Sequence, residues 1–322
     1  MLAAVLDRYG PPEVVAVREV PDPAPPGPGQ VLVRVHATSV NSGDARIRGA
    51  RFPWGFGLPA RLAFGLRGPR RPVLGGVYSG VVVALGPGVP HLREGEQVAG
   101  MTGPRMGAHA ELAVVPANRL TALPAGVSHE DAAGILFGAT TARYFLADTP
   151  VGPTARVLVI GASGAVGTAA VQLAALAGAQ VTGVCSAANA DLVTDLGADQ
   201  VLDYSTHPPT ELPRGGFDVV VDAVGTLSTA QGRSLLTRHG VLCLVAADLS
   251  QTIAASLAGG SVRAGAASED PADMAAVLDL VADGRVRVVR GEPGGLEDVV
   301  SAHRLVDSGR KVGSGVLRVV AR

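Results

Sequence analysis

The sequence predicts an α/β fold in which a β-rich unit precedes a doubly wound parallel sheet. Three observations carry the prediction. Short Val-rich runs separated by close turns fill residues 1–125. From about residue 126, strand-like apolar runs alternate with Ala-rich helical ones, the pattern of a parallel sheet buried on both faces. A glycine turn joins the first of those strands to the first of those helices.

In the first unit, VLVRV (residues 31–35) and VYSGVVVAL (residues 77–85) read as strands, with turns at Pro25-Pro26, Gly86-Pro87 and Gly95-Glu96. Together they suggest a compact barrel-like domain. Between them residues 51–71 carry five arginines and no acid, and read as a lid over a cleft or as a solvated loop. The second unit runs RVLVIGA, a helix over 165–177, QVTGVC, a helix over 189–196, QVLDY, DVVVDAVG, a helix over 227–237 and VLCLVAA. The right-handed crossover rule turns this alternation into a doubly wound sheet. A further helix is expected over 272–281, and the terminal GVLRVV is expected to return as a strand to the first unit. The expected divisions are 1–125, 126–268 and 269–322.

The 322 residues suffice for two domains, and hydrophobic residues at 47% against charged ones at 17% supply a sizeable core. A net charge of −1 gives no global field for nucleic acid or an anionic membrane. Two cysteines, Cys185 and Cys243, exclude a disulfide framework and a four-cysteine zinc lobe. The N-terminus lacks the basic start of a secretory signal. The apolar stretch 157–185 has the length of a membrane span, but Gly161, Gly164, Gly167, Gln172 and Gln180 break it into strand, turn, helix and strand. A cytoplasmic location is expected.

The strongest chemical signal is VLVIGASGAVG, residues 157–167. Its strand ends at Gly161 and its helix opens near Ala165, so the amides around Ser163, Gly164, Ala165 and Val166 sit where a helix dipole favours an anion. Gly164 leaves room for a pyrophosphate against the backbone, and Gly167 lets the helix pack on the strand. The next strand ends in Ser186-Ala187-Ala188-Asn189, with no carboxylate to accept from a ribose hydroxyl, which favours NADPH. Ser186 and Asn189 can donate to a 2′-phosphate, and Tyr204 can reach the same edge. No Lys or Arg stands in this loop, and Ser186 and Asn189 are also readable as helix N-caps.

Over essentially its full length the sequence resembles the medium-chain dehydrogenase/reductase superfamily, in the ordered stretches VLVRVHATSVNSGDARIRG, PVLGGVYSGVVVALGPGV, LREGEQVAG, GAHAELAVVPANRL, FGATTARYFL, LGADQVLDY and FDVVVDAVG. The resemblance implies a GroES-like catalytic domain, broken in sequence around a Rossmann domain, with nicotinamide and substrate in the cleft between them. Zinc relatives carry a Cys in the segment aligned with SVNSGD and a His-Glu pair in the second motif. This sequence offers Ser39, Asn41, Ser42 and Asp44, and then Gly76-Val77, so it resembles the zinc-free quinone oxidoreductase branch and no metal site is expected. Without a metal, the expected acceptors are quinones or α,β-unsaturated carbonyls, which spread the incoming charge themselves.

By the same resemblance Asn41 lies beside the nicotinamide or the substrate oxygen, and Thr141 contacts the nicotinamide or its ribose. A turn residue and a helix hydroxyl bonded to its own turn are the plain alternatives. Asp44 is a site residue, or orients the loop, or pairs with Arg46 or Arg48; Tyr78 donates a proton, shapes the pocket or packs; His109 serves structure. Val224, Val245 and Ala246 wall the cofactor. A homodimer is implied, joined at the edge strand near VRAGAAS. The family's Gly-Lys before the last strand is replaced by Gly313-Ser314-Gly315, with Arg310 and Lys311 slightly earlier. A second functional reading stands beside the reductase: a non-redox member such as a cyclase, or an NADPH-binding regulator, on the same fold.

Overall fold

Val- and Leu-rich runs with almost no polar residue can be satisfied only where a sheet is covered on both sides. The computed structural model, which describes residues 1–292 and 294–319, builds six of them into one parallel sheet. The order across it is Gln200–Asp203, Gln180–Cys185, Arg156–Ile160, Phe217–Asp222, Leu236–Leu244 and Val262–Ala264. The chain starts in the middle and winds outward both ways, so the connections leaving the two central strands part at their carboxyl ends and leave a crevice there. Val157, Val159, Val219 and Val221 face one layer of helices, and Leu158, Ile160, Val220 and Leu242 face the other. The short strand Val262–Ala264 forms one edge.

The β-rich unit is a seven-stranded sheet around Gln30–Val40, with Val77–Leu85 and Gly315–Arg318 as its antiparallel neighbours and Leu112–Pro116 paired to it off the main path. The terminal strand therefore does return to the first unit. Leu2–Leu6 and Val15–Glu19 form a separate ribbon. Of the expected helices, 227–237 is shorter: its helix is Thr229–Leu235, and the following strand already begins at Leu236. Its Ser228–Gln231 capping box fixes the start two residues later than the apolar pattern suggests.

The helix His129–Leu146 ties the two units together. Its buried face joins the same core as Val77 and Met101 from the barrel and Val166 and Ala170 from the doubly wound unit. Ser128 caps it by accepting from Asp131 N. Gly138 is where it crosses the start of Ala165–Leu176; a Cβ there would lie 2.1 Å from the Ala165 carbonyl oxygen. Residues 51–71 form the helix Gly57–Phe64 and reach the doubly wound unit at one point, where Leu249 N donates to Trp54 O (3.0 Å). Among the described residues no helix is long and apolar enough to cross a membrane.

Candidate functional site

The crevice at the carboxyl ends of the parallel strands is built from five short segments. Gly161 follows the central strand, its amide and that of Ala162 both donating to Val184 O (3.0 and 2.9 Å), which bends the chain sharply toward the helix Ala165–Leu176. At Gly167 a Cβ would stand 2.0 Å from Gly161 O, so only glycine permits this approach of helix to turn. At Gly164 the nearest atom to a Cβ, Gly161 O, is 3.4 Å away: the protein leaves that space open. An open backbone cradle over helix amides fits the pyrophosphate of a dinucleotide. The amides of Ala165 and Val166 stand at the first turn, where no intrahelical acceptor exists for them.

The neighbouring segments close round this turn. Asn189 Nδ2 donates to both Ser163 Oγ and Ser186 Oγ (3.1 Å each), bringing three expected residues into one cluster. Neither Ser186 nor Asn189 makes a side-chain cap, so the N-cap alternative is not what holds them. Tyr204 is 55% exposed at the same edge, its amide on Cys185 O (3.1 Å). Beside it Asp203 accepts from Ser205 N (3.0 Å) and Ser205 Oγ (2.7 Å) and from the Ala187 amide, and these bonds hold its carboxyl below the usual range. Asp203 was not singled out from sequence; the register pairs it with Cys185, which places it on the Ser186–Asn189 turn. On the far side Val224 covers Gly161, and Ala246 lies against Gly225. Val245 N is bonded to Asp222 O (3.0 Å), so Val224, Val245 and Ala246 form one wall.

That wall hangs on Asp222. The side chain is fully buried at the strand end and accepts from Val224 N (3.0 Å) and Gly225 N (2.8 Å) through Oδ1 and from Leu227 N (2.8 Å) through Oδ2. The sequence shows this aspartate only as one letter of an apolar run.

On the barrel side, Asn41 is buried at the start of the helix Ser42–Gly49. Asp44, fully buried, accepts from Asn41 N (2.8 Å) through Oδ2 and from Gly75 N (3.2 Å) through Oδ1. Burial pushes its carboxyl above the ordinary range, opposed by His109 and the amide donors. Asp44 is thus the residue that orients the loop; it pairs with neither Arg46 nor Arg48. The buried Arg48 instead donates to Gly10 O (2.6 Å) and Asp307 Oδ2 (2.5 Å). Asn41 Nδ2 donates to Ser39 Oγ (3.0 Å), while Oδ1 has no partner. His109 Nε2 donates to Ser39 O (3.3 Å), which gives this histidine its structural role.

The helix that carries Thr141 and the turn that carries Asn41 are linked across the unit boundary through the neighbouring Thr140 and Asp44. Thr140 Oγ1 lies 3.7 Å from Met101 Sδ; Thr102 N donates to Gly76 O (2.9 Å) and Thr102 Oγ1 to Gly75 O (3.0 Å); Gly75 N reaches Asp44. Thr141 Oγ1 donates to Phe137 O (2.7 Å), so its proton is committed to its own helix turn and its lone pairs remain as acceptors.

Tyr78 requires a correction. On a strand successive side chains point to opposite faces: Val77 faces the helix His129–Leu146, and Tyr78 turns into the barrel core with Leu6, Val35 and Val98. It is fully buried, its hydroxyl has no partner, and burial raises it above the usual phenol range. Its place is in the core packing of the barrel, the packing alternative of the sequence reading.

Lys311, which the sequence shows only as displaced from the family's Gly-Lys position, is given its place by the path of the loop. It is the only lysine in the chain. Gly313 docks on the phosphate turn, its amide donating to Ser163 O (2.8 Å), and Lys311 folds back so that Nζ donates to Gly313 O. Burial lowers its ammonium to about 8, and among the described residues no carboxylate pairs with it. A cation without a counter-ion thus stands against the turn that suits an anion.

Comparison with known proteins agrees with this geometry. Residues 27–125 match the family model described as alcohol dehydrogenase GroES-like domain, and residues 196–317 the one described as zinc-binding dehydrogenase. The chain is 32% identical over 331 residues to the quinone oxidoreductase of Pseudomonas aeruginosa, covering 96% of this chain and 97% of that one. It is 33% identical over 241 residues to the mitochondrial NAD(P)H oxidoreductase RTN4IP1 of Danio rerio; the match takes in 70% of this chain but spans only 61% of that relative's length. The Escherichia coli quinone oxidoreductase complexed with NADPH superimposes with a TM-score of 0.82 at 25% identity, over 99% of this chain and 100% of that one.

Proposed function

The chain belongs to the medium-chain dehydrogenase/reductase superfamily, and from that premise we propose that it is an NAD(P)H-dependent oxidoreductase that uses NADPH to reduce a quinone or an α,β-unsaturated carbonyl without zinc. The observation that carries this reading is the buried Asn41 carboxamide, tied to Ser39 at one end and unpartnered at the other.

When bound, the reduced nicotinamide supplies the hydride. The chain's residues position and stabilise. Asn41 Nδ2, with one N–H given to Ser39, turns its second N–H to the acceptor oxygen, where negative charge grows, and the unpartnered Oδ1 accepts from a donor in the cleft. Asp44 and Ser39 keep Asn41 from rotating away, and Thr141 offers lone pairs to an amide donor across the cleft. Absence of zinc fits the donor set: Gly76 and Val77 stand where relatives place imidazole and carboxylate, and both cysteines are buried in the parallel sheet. A conjugated acceptor delocalises the charge, so a carboxamide suffices where a simple ketone needs a Lewis acid. Asn41→Ala is expected to lower kcat about 10- to 100-fold on a quinone, with KM and NADPH affinity changed less than about threefold. An unchanged kcat sinks the assignment.

NADPH is favoured over NADH by the Ser163, Ser186 and Asn189 cluster, with Tyr204 at the rim. Lys311 adds a cation on the loop that docks against the glycine turn at Ser163, beside the place proposed for the pyrophosphate. Lys311→Ala is expected to weaken NADPH binding about tenfold, and Lys311→Arg less. The sign with pH follows from the lowered ammonium: the charged form is complete below about 8 and is lost above it. Wild-type affinity therefore falls as pH rises through 8, and the alanine variant stays flat; fluorescence titrations at a series of pH values read both.

A further inference from the structure

Next to this site the barrel unit holds a cavity of about 320 Å³ whose wall sets Ile47, Phe64 and Leu74 beside Arg70, Arg71 and Arg105. No acid lines it. The three arginines are exposed, and among the described residues none of their guanidinium groups is in an ion pair or a side-chain hydrogen bond. Cationic forks left uncompensated around an apolar hollow favour a ligand that is itself acidic and apolar.

The loop that closes the cavity is also strained. Met106 holds φ +54°, between Gly103 at +59° and Gly107 at +107°. A non-glycine side chain in the left-handed region costs free energy, and such strain is kept where surrounding structure over-determines a shape. Here the shape is one wall of the cavity.

Its position relates it to the reaction. Ile47 lies on the helix that begins after Asn41, six residues further on, which is about 9 Å along the axis. Leu74 immediately precedes Gly75, the amide that Asp44 holds. The cavity therefore backs onto the elements that carry Asn41, and its arginines stand toward solvent.

We propose that this cavity is an anion subsite for the acceptor: it binds the carboxylate, sulfonate or phosphate of a molecule whose conjugated carbonyl lies beside Asn41. This rests on the reductase reading for its substrate and extends it from quinones and enones in general to those bearing an acidic group. Arg70, Arg71 and Arg105 form the charge-assisted bonds, and the apolar wall covers the carbon skeleton between acid and carbonyl.

The test compares 1,4-naphthoquinone with 1,4-naphthoquinone-2-sulfonate and with a longer-armed carboxylated naphthoquinone, by calorimetric Kd and by kcat/KM with NADPH. The wild type is expected to bind at least one acidic quinone roughly tenfold more tightly than the neutral one, with the advantage shrinking as salt rises. Arg105→Glu and the pair Arg70→Ala/Arg71→Ala should abolish the advantage and leave turnover of the neutral quinone unchanged, since none of these side chains supports the fold. Inorganic phosphate and acetate as competitors separate phosphate-bearing from carboxylate-bearing acceptors by which one displaces the acidic quinone. Equal affinity for acidic and neutral quinones, or an advantage that survives Arg105→Glu, overturns the subsite. If no quinone is reduced, the reductase reading fails, while the Kd comparison still decides the cavity.

Discussion

Gly138→Ala is expected to cost the fold about 3 kcal/mol and to weaken NADPH binding about tenfold or more. A methyl group at Gly138 would lie 2.1 Å from the Ala165 carbonyl oxygen and 2.6 Å from its carbon, and backbone cannot rotate out of the way as a side chain can. Either the helix His129–Leu146 backs off, opening the shared core, or the first turn of Ala165–Leu176 shifts and its amides no longer converge on one point. The control lies one turn earlier on the same helix. At Gly134 the new methyl group meets only side-chain atoms, Val288 Cγ1 at 3.1 Å, Val316 Cγ2 at 3.3 Å and Arg290 Cδ at 3.4 Å. These can yield by a few tenths of an ångström, and helix propensity returns up to about 1 kcal/mol, so Gly134→Ala should stay within about 1 kcal/mol of wild type. Thermal melts and NADPH titrations of the two variants decide it: equal behaviour would mean that the helix contact at Ala165 does not position the phosphate turn.

Asp222→Ala is the second large effect, expected at about 3–5 kcal/mol. It leaves the amides of Val224, Gly225 and Leu227 facing the void of a buried carboxylate. Hydrogen bonds to an ionised acceptor are stronger than neutral ones, and a stranded buried donor carries its full desolvation cost. Asp222→Asn keeps the shape and one acceptor oxygen, so it should lose roughly half as much. Because the side chain holds Val224 N and Val224 packs over Gly161, nucleotide affinity should fall with stability in both variants. Denaturant melts together with NADPH titrations read the two quantities, and an alanine variant within 1 kcal/mol of wild type would contradict the role given to the carboxylate.

What sequence could show depended on how local each signal was. The glycine turn is a sequence of adjacent residues with a steric requirement, so Gly164 and Gly167 were legible before any coordinates, and the structure supplies only the distances. The alternation of apolar runs and Ala-rich helices likewise predicts a parallel sheet, which the crossover rule makes doubly wound, while the order of its strands is seen only in the structure. Tyr78 was not legible, because period-two alternation says that Val77 and Tyr78 point apart without saying which face meets the cleft. Arg48 shows the same limit more sharply: its carboxylate partner, Asp307, lies 259 positions away, while nearer Asp44 is taken up by amides. Lys311 escaped for another reason. Sequence registers its displacement from the expected Gly-Lys position, but only the path of the loop shows it folding back to the carbonyl of Gly313.

The central claim is that a bound nicotinamide here serves redox chemistry. The most direct test follows NADPH fluorescence with the purified wild-type protein, first alone and then with 9,10-phenanthrenequinone or a simple enone. Saturable binding is expected, followed by rapid, acceptor-dependent loss of the NADPH signal at a rate set by enzyme concentration. Tight binding with no oxidation across a broad panel of quinones and enones would contradict that claim and mark the site as one that holds the nucleotide without using its hydride.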